Sequence, residues 1–289
     1  MSHKTAILIS APVDSGKARR GCVMGPDAFK VAGLPDALAD LGLNVEETDL
    51  TRPATPENGG ELPAHLHSPN ETIEWTKAIA EAGSEGFRRG LPIFLGGDHA
   101  LSLGSLLAAA DWAAHLRRPL FVLWLDAHTD FHTPQSSPSG NLHGTPLGYA
   151  TGRAGFTGFP QMRHPIPAER ICFMGLRSVD PDERAALEQT GARRYDMRAI
   201  DEQGIAKPLT DFLAEVRQAN GLLHLSLDVD FLDPGFAPAV GTTVPGGATI
   251  REAHLVMEMI CDSGLLTSLD LVELNPFLDD RGRTAQVMV

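Results

Sequence analysis

Six short stretches of this chain, at 6–9, 92–95, 120–125, 171–174, 222–227 and 269–272, are dominated by apolar residues and show no strict in–out alternation. A strand with one wet face alternates, whereas a strand covered on both faces reads as a nearly continuous apolar run, as in parallel sheets. Helical patterns lie between the runs, at 26–40, 70–89, 100–116, 181–190, 207–219 and 249–263. Asn70 with Glu74, and Asp180-Pro181 with Glu183, read as helix starts; Gly90, Gly191 and Gly264 read as stops. Strand and helix in alternation predict a single three-layer α/β/α domain over 1–289 with a mostly parallel sheet. Residues 51–69, rich in Pro, Gly and His, read as a surface loop. The segment 281–289 starts an amphipathic helix and ends after about two turns, so the last helix is read as short or cut off.

Four of the runs lead straight into acidic or histidine residues. Leu95 is followed by Gly96-Gly97-Asp98-His99, Leu125 by Asp126-Ala127-His128-Thr129-Asp130, Leu227 by Asp228-Val229-Asp230, and Val272 by Glu273. Ligands of open parallel sheets sit beyond the carboxyl ends of the strands, so these sequence-distant groups are expected in one crevice. In extended chain, residues two apart point the same way, which groups Asp126 with His128 and Asp130, and Asp228 with Asp230. One Asp-x-Asp at a strand end is ordinary turn chemistry, and His99 alone would be an ordinary turn histidine; three such clusters at successive strand ends are not ordinary.

Four carboxylates cannot share a buried site as bare charges. Two divalent cations would balance them, and a donor set of carboxylate oxygens and two imidazoles without thiolate suits Mn²⁺ ahead of Fe, Co, Ni or Zn. The charge balance agrees. With 24 basic against 37 acidic residues, the net charge is −13. This disfavours a nucleic-acid partner and favours cationic ones. No stretch reaches the roughly 18 apolar residues of a membrane span, and the N-terminus does not read as a signal peptide. Three scattered cysteines, Cys22, Cys172 and Cys261, without a C-x-x-C pair, fit a reducing cytoplasm, with Cys172 a buried inert thiol.

The segments Gly96-Gly-Asp-His-Ala100, Asp126-Ala-His-Thr-Asp130 and 226–234 (Ser-Leu-Asp-Val-Asp-Phe-Leu-Asp-Pro) resemble the three signatures of the ureohydrolase superfamily, the binuclear manganese enzymes. Ser139-Gly-Asn-Leu-His-Gly144 resembles the substrate loop of the arginases within it. Further likeness runs nearly end to end, through Arg20-Gly21 to Gly25-Pro26, Gly175-Leu-Arg177, Gly241-Thr242 and Asp270 to Pro276. The resemblance implies two Mn²⁺ per subunit, one held by His99, Asp126, Asp130 and Asp228, the other by His128, Asp126, Asp228 and Asp230, with a bridging hydroxide that attacks the guanidino carbon of L-arginine to give ornithine and urea. It makes His143 the proton donor to the leaving amine, Glu273 an orienting anion for the guanidinium, and Asp130 part of the catalytic set. Thr242 adds a nearby hydroxyl, and His128 faces the substrate. The α-carboxylate would be read by His132, Ser137, Ser139 and Asn141, and the α-ammonium by Asp180 with Glu183. It further implies a cytoplasmic homo-trimer or homo-hexamer.

Two positions depart from the family's pattern: His132 stands where many arginases carry asparagine, and Ser178 where they carry aspartate. Arginine recognition is therefore expected to be weaker or differently tuned, with the reaction unchanged. The alternatives are another ureohydrolase, acting on agmatine, guanidinobutyrate or formimidoylglutamate, and a non-catalytic manganese-binding protein. The 139–143 loop disfavours agmatine, which has no carboxylate for it to hold.

Overall fold

In the computed structural model, which describes residues 4–56 and 62–289, the apolar runs become the inner strands of one eight-stranded sheet. In chain order the elements are β1 (Thr5–Ala11), α1 (Gly25–Val31), α2 (Leu34–Asp40), β2 (Asn44–Asp49), α3 (Pro69–Arg89), β3 (Leu91–Gly96), α4 (Ser102–Leu116), β4 (Leu120–Leu125), α5 (Pro146–Ala150), β5 (Ile171–Leu176), α6 (Pro181–Glu188), β6 (Arg193–Asp196), α7 (Met197–Gln203), α8 (Ala206–Gln218), β7 (Leu222–Asp228), α9 (Ile250–Ser263), β8 (Leu266–Val272) and α10 (Arg283–Met288). The sheet order is β2-β1-β3-β8-β7-β4-β5-β6, and every pairing is parallel.

Period-two geometry explains why the inner strands do not alternate. Along β4, Phe121, Leu123 and Leu125 enter the core shared with α8 and α9, whereas Leu120, Val122 and Trp124 enter the opposite layer under α4. Both faces are dry, so both sets are apolar. The two edge strands escaped the sequence reading for the complementary reason. β2 (Asn-Val-Glu-Glu-Thr-Asp) and β6 (Arg-Arg-Tyr-Asp) are half-exposed and polar, as strands with an unpaired edge in water can be.

Other expectations need correction. The pattern at 26–40 is broken into α1 and α2, because Gly33 takes a left-handed conformation (φ 98°) at the start of α2. Asn70 is not the first residue of its helix: Ser68 is the N-cap and Pro69 the first helical position. Gly90 and Gly264 do end α3 and α9, but α6 stops at Gln189, before Gly191. The short helices α5 and α7 were not expected. Of the anticipated loop at 51–69, residues 57–61 lie outside the described residues, as do residues 1–3 of the N-terminal segment. No described helix is long and apolar enough to cross a membrane.

Candidate active site

The sheet order brings the four acid-bearing strand ends side by side: β3, β8, β7 and β4 are consecutive neighbours. His99 follows β3, Glu273 follows β8, Asp228 closes β7 with Asp230 two residues on, and Asp126, His128 and Asp130 follow β4. Their side chains form two groups that share Asp126. His99 Nδ1 lies 3.2 Å from Asp126 Oδ2, 3.1 Å from Asp130 Oδ2 and 3.1 Å from Asp228 Oδ2. His128 Nδ1 lies 3.3 Å from Asp126 Oδ1 and 3.0 Å from Asp230 Oδ2.

The outer faces of these ligands are held by neighbours that turn their free atoms inward. Trp124 donates its indole N–H to Asp126 Oδ2 (3.0 Å) and stacks on the His99 ring with centroids 4.3 Å apart and planes 1° apart. Ser226 meets His99 Nε2 at 2.9 Å. Backbone amides of His128, Ala127 and Asp230 donate to Asp126, Asp230 and Asp228 respectively. Asp130 sits at φ 44° and Glu273 at φ 68°, a left-handed backbone that side-chain-bearing residues take where the surroundings enforce it, often at functional sites.

Electrostatics then ask for cations. Burial and the other aspartates raise Asp228 well above the carboxylate range, raise Asp230, and push Asp130 up to about 6. Against burial, the facing carboxylates push His128 up to about 12. Within the cluster, His99 Nδ1 is buried and makes no hydrogen bond, although three carboxylate oxygens surround it. An orphaned imidazole nitrogen facing anionic oxygens is the signature of a metal ligand. The residues therefore fit metal ions: His99, Asp126 and Asp130 form one group of ligating atoms and Asp126, His128 and Asp230 another, the atoms of each within 4.8 Å of one another and the two groups sharing Asp126.

Above this floor opens a cleft of about 290 Å³, lined by His128, Asp130, His132, Ser139, Asn141, His143, Ser178, Asp180, Glu183, Thr242 and Glu273 among others. Ser137 is not among them. It is buried behind the loop, its hydroxyl donating to Asn141 O (3.3 Å). Thr242 stands exposed at the rim. Glu273 is 3% exposed, and its oxygens are already engaged. One accepts from His99 N and faces His143 Nδ1, both at 2.9 Å; the other pairs with the Lys17 ammonium. Against burial, Lys17 and His143 hold Glu273 well below the carboxylate range. Burial alone would lower His143, but the Glu273 carboxylate raises it above the ordinary histidine value.

Lys17 is the participant that sequence reasoning missed. It is 2% exposed, and its ammonium lies 3.0 Å from Cys22 Sγ. No spacing marks it. The available signal was position alone, since the loop after β1 opens at the same sheet edge as the loop after its neighbour β3. Trp124 and Ser226 were missed because they read as ordinary strand residues.

Residues 4–289 match the model of the Arginase family. The chain belongs to the arginase family. Among its relatives, the arginase of Brucella melitensis biotype 1 is 54% identical over 290 residues, covering 98% of this chain and 92% of that protein. The arginase of Agrobacterium fabrum is 53% identical, covering 99% and 88%. Among solved structures, the arginase from Bacillus caldovelox superposes with a TM-score of 0.91 at 36% identity, covering 99% of this chain and 95% of that one. The arginase-family sheet and the two His/Asp groups at its carboxyl edge thus coincide with what the strand-end motifs implied.

Proposed function

We propose that this chain hydrolyses L-arginine to L-ornithine and urea using two Mn²⁺ ions, as a single domain that assembles into a cytoplasmic homo-trimer or homo-hexamer. One observation carries the chemistry: Asp126 turns one carboxylate oxygen to each of two histidine-containing ligand groups at the floor of a cleft. His99, Asp126, Asp130 and Asp228 would hold one ion, and His128, Asp126, Asp228 and Asp230 the other. Oxygen-rich donors without thiolate favour manganese. A bound pair of such ions supplies ionised water near neutral pH, bringing a pKa of about 15.7 toward 7.

The remaining work falls to the protein. Guanidinium is a resonance-stabilised, cationic and poor electrophile, so it must be held against the nucleophile, and its amine must leave protonated. His143 Nδ1 is taken by Glu273, which leaves Nε2 to carry the proton to the departing nitrogen. An imidazole raised above its ordinary value keeps that proton near neutral pH. Glu273, fixed by Lys17 and the His99 amide, orients that ring and presents negative charge beside the guanidinium. At the outer end, Ser139 and Asn141 offer polar groups for the α-carboxylate, while Asp180 and Glu183 offer anions for the α-ammonium.

Urea release is the test. The manganese-loaded protein should release urea from L-arginine faster than from agmatine, lose that activity with a chelator and regain it with Mn²⁺. Faster turnover of agmatine would overturn the substrate, and chelator-insensitive urea release would overturn the metal.

A further inference from the structure

Asp180 occupies the N-cap of α6, yet its side chain makes no capping hydrogen bond. Its carboxylate has turned instead to His132, whose Nε2 lies 3.1 Å from Asp180 Oδ2. Glu183 brings an oxygen to within 3.6 Å of the same nitrogen, its other oxygen accepting from Phe131 N at 2.8 Å. At the far side of the ring, Ser136 Oγ lies 3.1 Å from His132 Nδ1. That hydroxyl already accepts from Thr133 N at 2.9 Å and from Thr133 Oγ1 at 3.3 Å, and the other acceptor within reach, Thr133 O, is at 3.5 Å. The single Ser136 proton is therefore best placed on Nδ1, which makes Nε2 the protonated nitrogen and the donor to Asp180.

The exposures give this bond its meaning. The His132 side chain is 8% exposed and the Asp180 side chain 56%. A carboxylate standing so far into water has several rotamers open to it; one tethered to a buried ring has few. Ser178, which shares this wall of the cleft, brings no charge, so Asp180 and Glu183 are the anions of the outer end.

We infer that His132 is a positioning residue for the amino-acid end of the substrate: it holds Asp180 beside Glu183 so that the two carboxylates receive the α-ammonium together. Its role is thus in ammonium recognition, not in contact with the α-carboxylate, and the inference rests on arginine being the substrate. Asparagine at this position would not do the same work. Its amide nitrogen would stand about where Nδ1 stands, facing Ser136, whereas the longer glutamine amide reaches the position of Nε2.

L-Ornithine, which keeps the α-amino-acid end and needs no turnover, is the probe, with its affinity for the manganese-loaded protein measured by calorimetry. His132→Asn should weaken L-ornithine about three- to tenfold, the cost of ordering one freed side chain. His132→Gln should bind like the parent. Asp180→Asn should weaken L-ornithine at least as much, and adding His132→Asn to it should weaken binding no further, because the two residues act through one contact. Unchanged affinity in His132→Asn or in Asp180→Asn, losses that multiply in the double variant, or no recovery with glutamine would each overturn the inference. If the parent releases urea from arginine while any of these occurs, the role of His132 fails, and with an unchanged Asp180→Asn the ammonium role of Asp180 too, but the arginine reading stands. If the parent neither binds L-ornithine nor releases urea, the arginine reading fails and this inference with it.

Discussion

Asp126 is the side chain shared by both ligand groups of the site. Its two oxygens serve two ligand groups, and each is also anchored from behind, by the Trp124 indole and the His128 amide. Asp126→Asn keeps the shape but removes a charge common to both groups, so both metals should be lost together. Metal analysis after dialysis checks this, and retention of two tightly held ions would contradict it. Lys17 presents the opposite case, a buried cation whose worth lies in its partner. Lys17→Met would leave the buried Glu273 carboxylate with only His143 and the His99 amide as partners, and loss of a buried ion-pair partner costs up to about 3–5 kcal/mol. Denaturant unfolding should show a loss of stability of that order, and an unchanged unfolding free energy would mean that His143 and the His99 amide hold Glu273 without Lys17. At this scale the two residues differ in legibility. Asp126 sits in a motif whose spacing declares it. Lys17 becomes functional only because the chain, 256 residues later, places Glu273 against it.

Each ligand-bearing loop is short and starts where a parallel strand ends, so the strand fixes the loop's first atoms and the sheet fixes the strand. The β3 exit shows how little slack remains. Gly97 N donates to Ala11 O, Asp98 N donates to Val13 O, and Glu273 N donates to Gly97 O, which ties the ends of β1, β3 and β8 within one turn. A methyl group at Gly97 would fall 1.7 Å from Val13 O, a backbone atom that cannot step aside. Gly97→Ala should therefore displace His99 and Glu273 together, abolish activity, and cost at least the roughly 1–3 kcal/mol typical of overpacking. A variant with parental thermal stability and turnover would show that the turn can open without consequence. Element by element, the inner strands and longer helices were legible because both faces of each inner strand are dry and the longer helices either carry an apolar stripe or, like α4, are buried nearly all round. The edge strands β2 and β6 were not, because half-solvated six- and four-residue segments with one apolar or aromatic residue each carry no hydrophobic pattern to read.

For the whole molecule, four buried aspartates at the centre of one sheet are a standing destabilisation unless cations neutralise them. Ions that bind the folded state and not the unfolded one stabilise it by about 2.7 kcal/mol at a hundredfold excess over Kd. For a chain of this size that corresponds to roughly 4–5 °C in Tm for each such ion. Chelation should lower the melting temperature by about that much and Mn²⁺ should restore it. A melting curve indifferent to chelator would mean that the aspartates are neutralised without metal. From its sequence alone the chain declared the class of fold, the identities of the clustered donors and the need for cations, because burial periodicity and charge type are local properties of a sequence. Only the tertiary structure decided which strands are neighbours, that Lys17 and Glu273 meet, and that His132 turns to Asp180. Those facts depend on strand order and on competition among hydrogen-bond partners far apart in the chain, and no spacing along the chain encodes either.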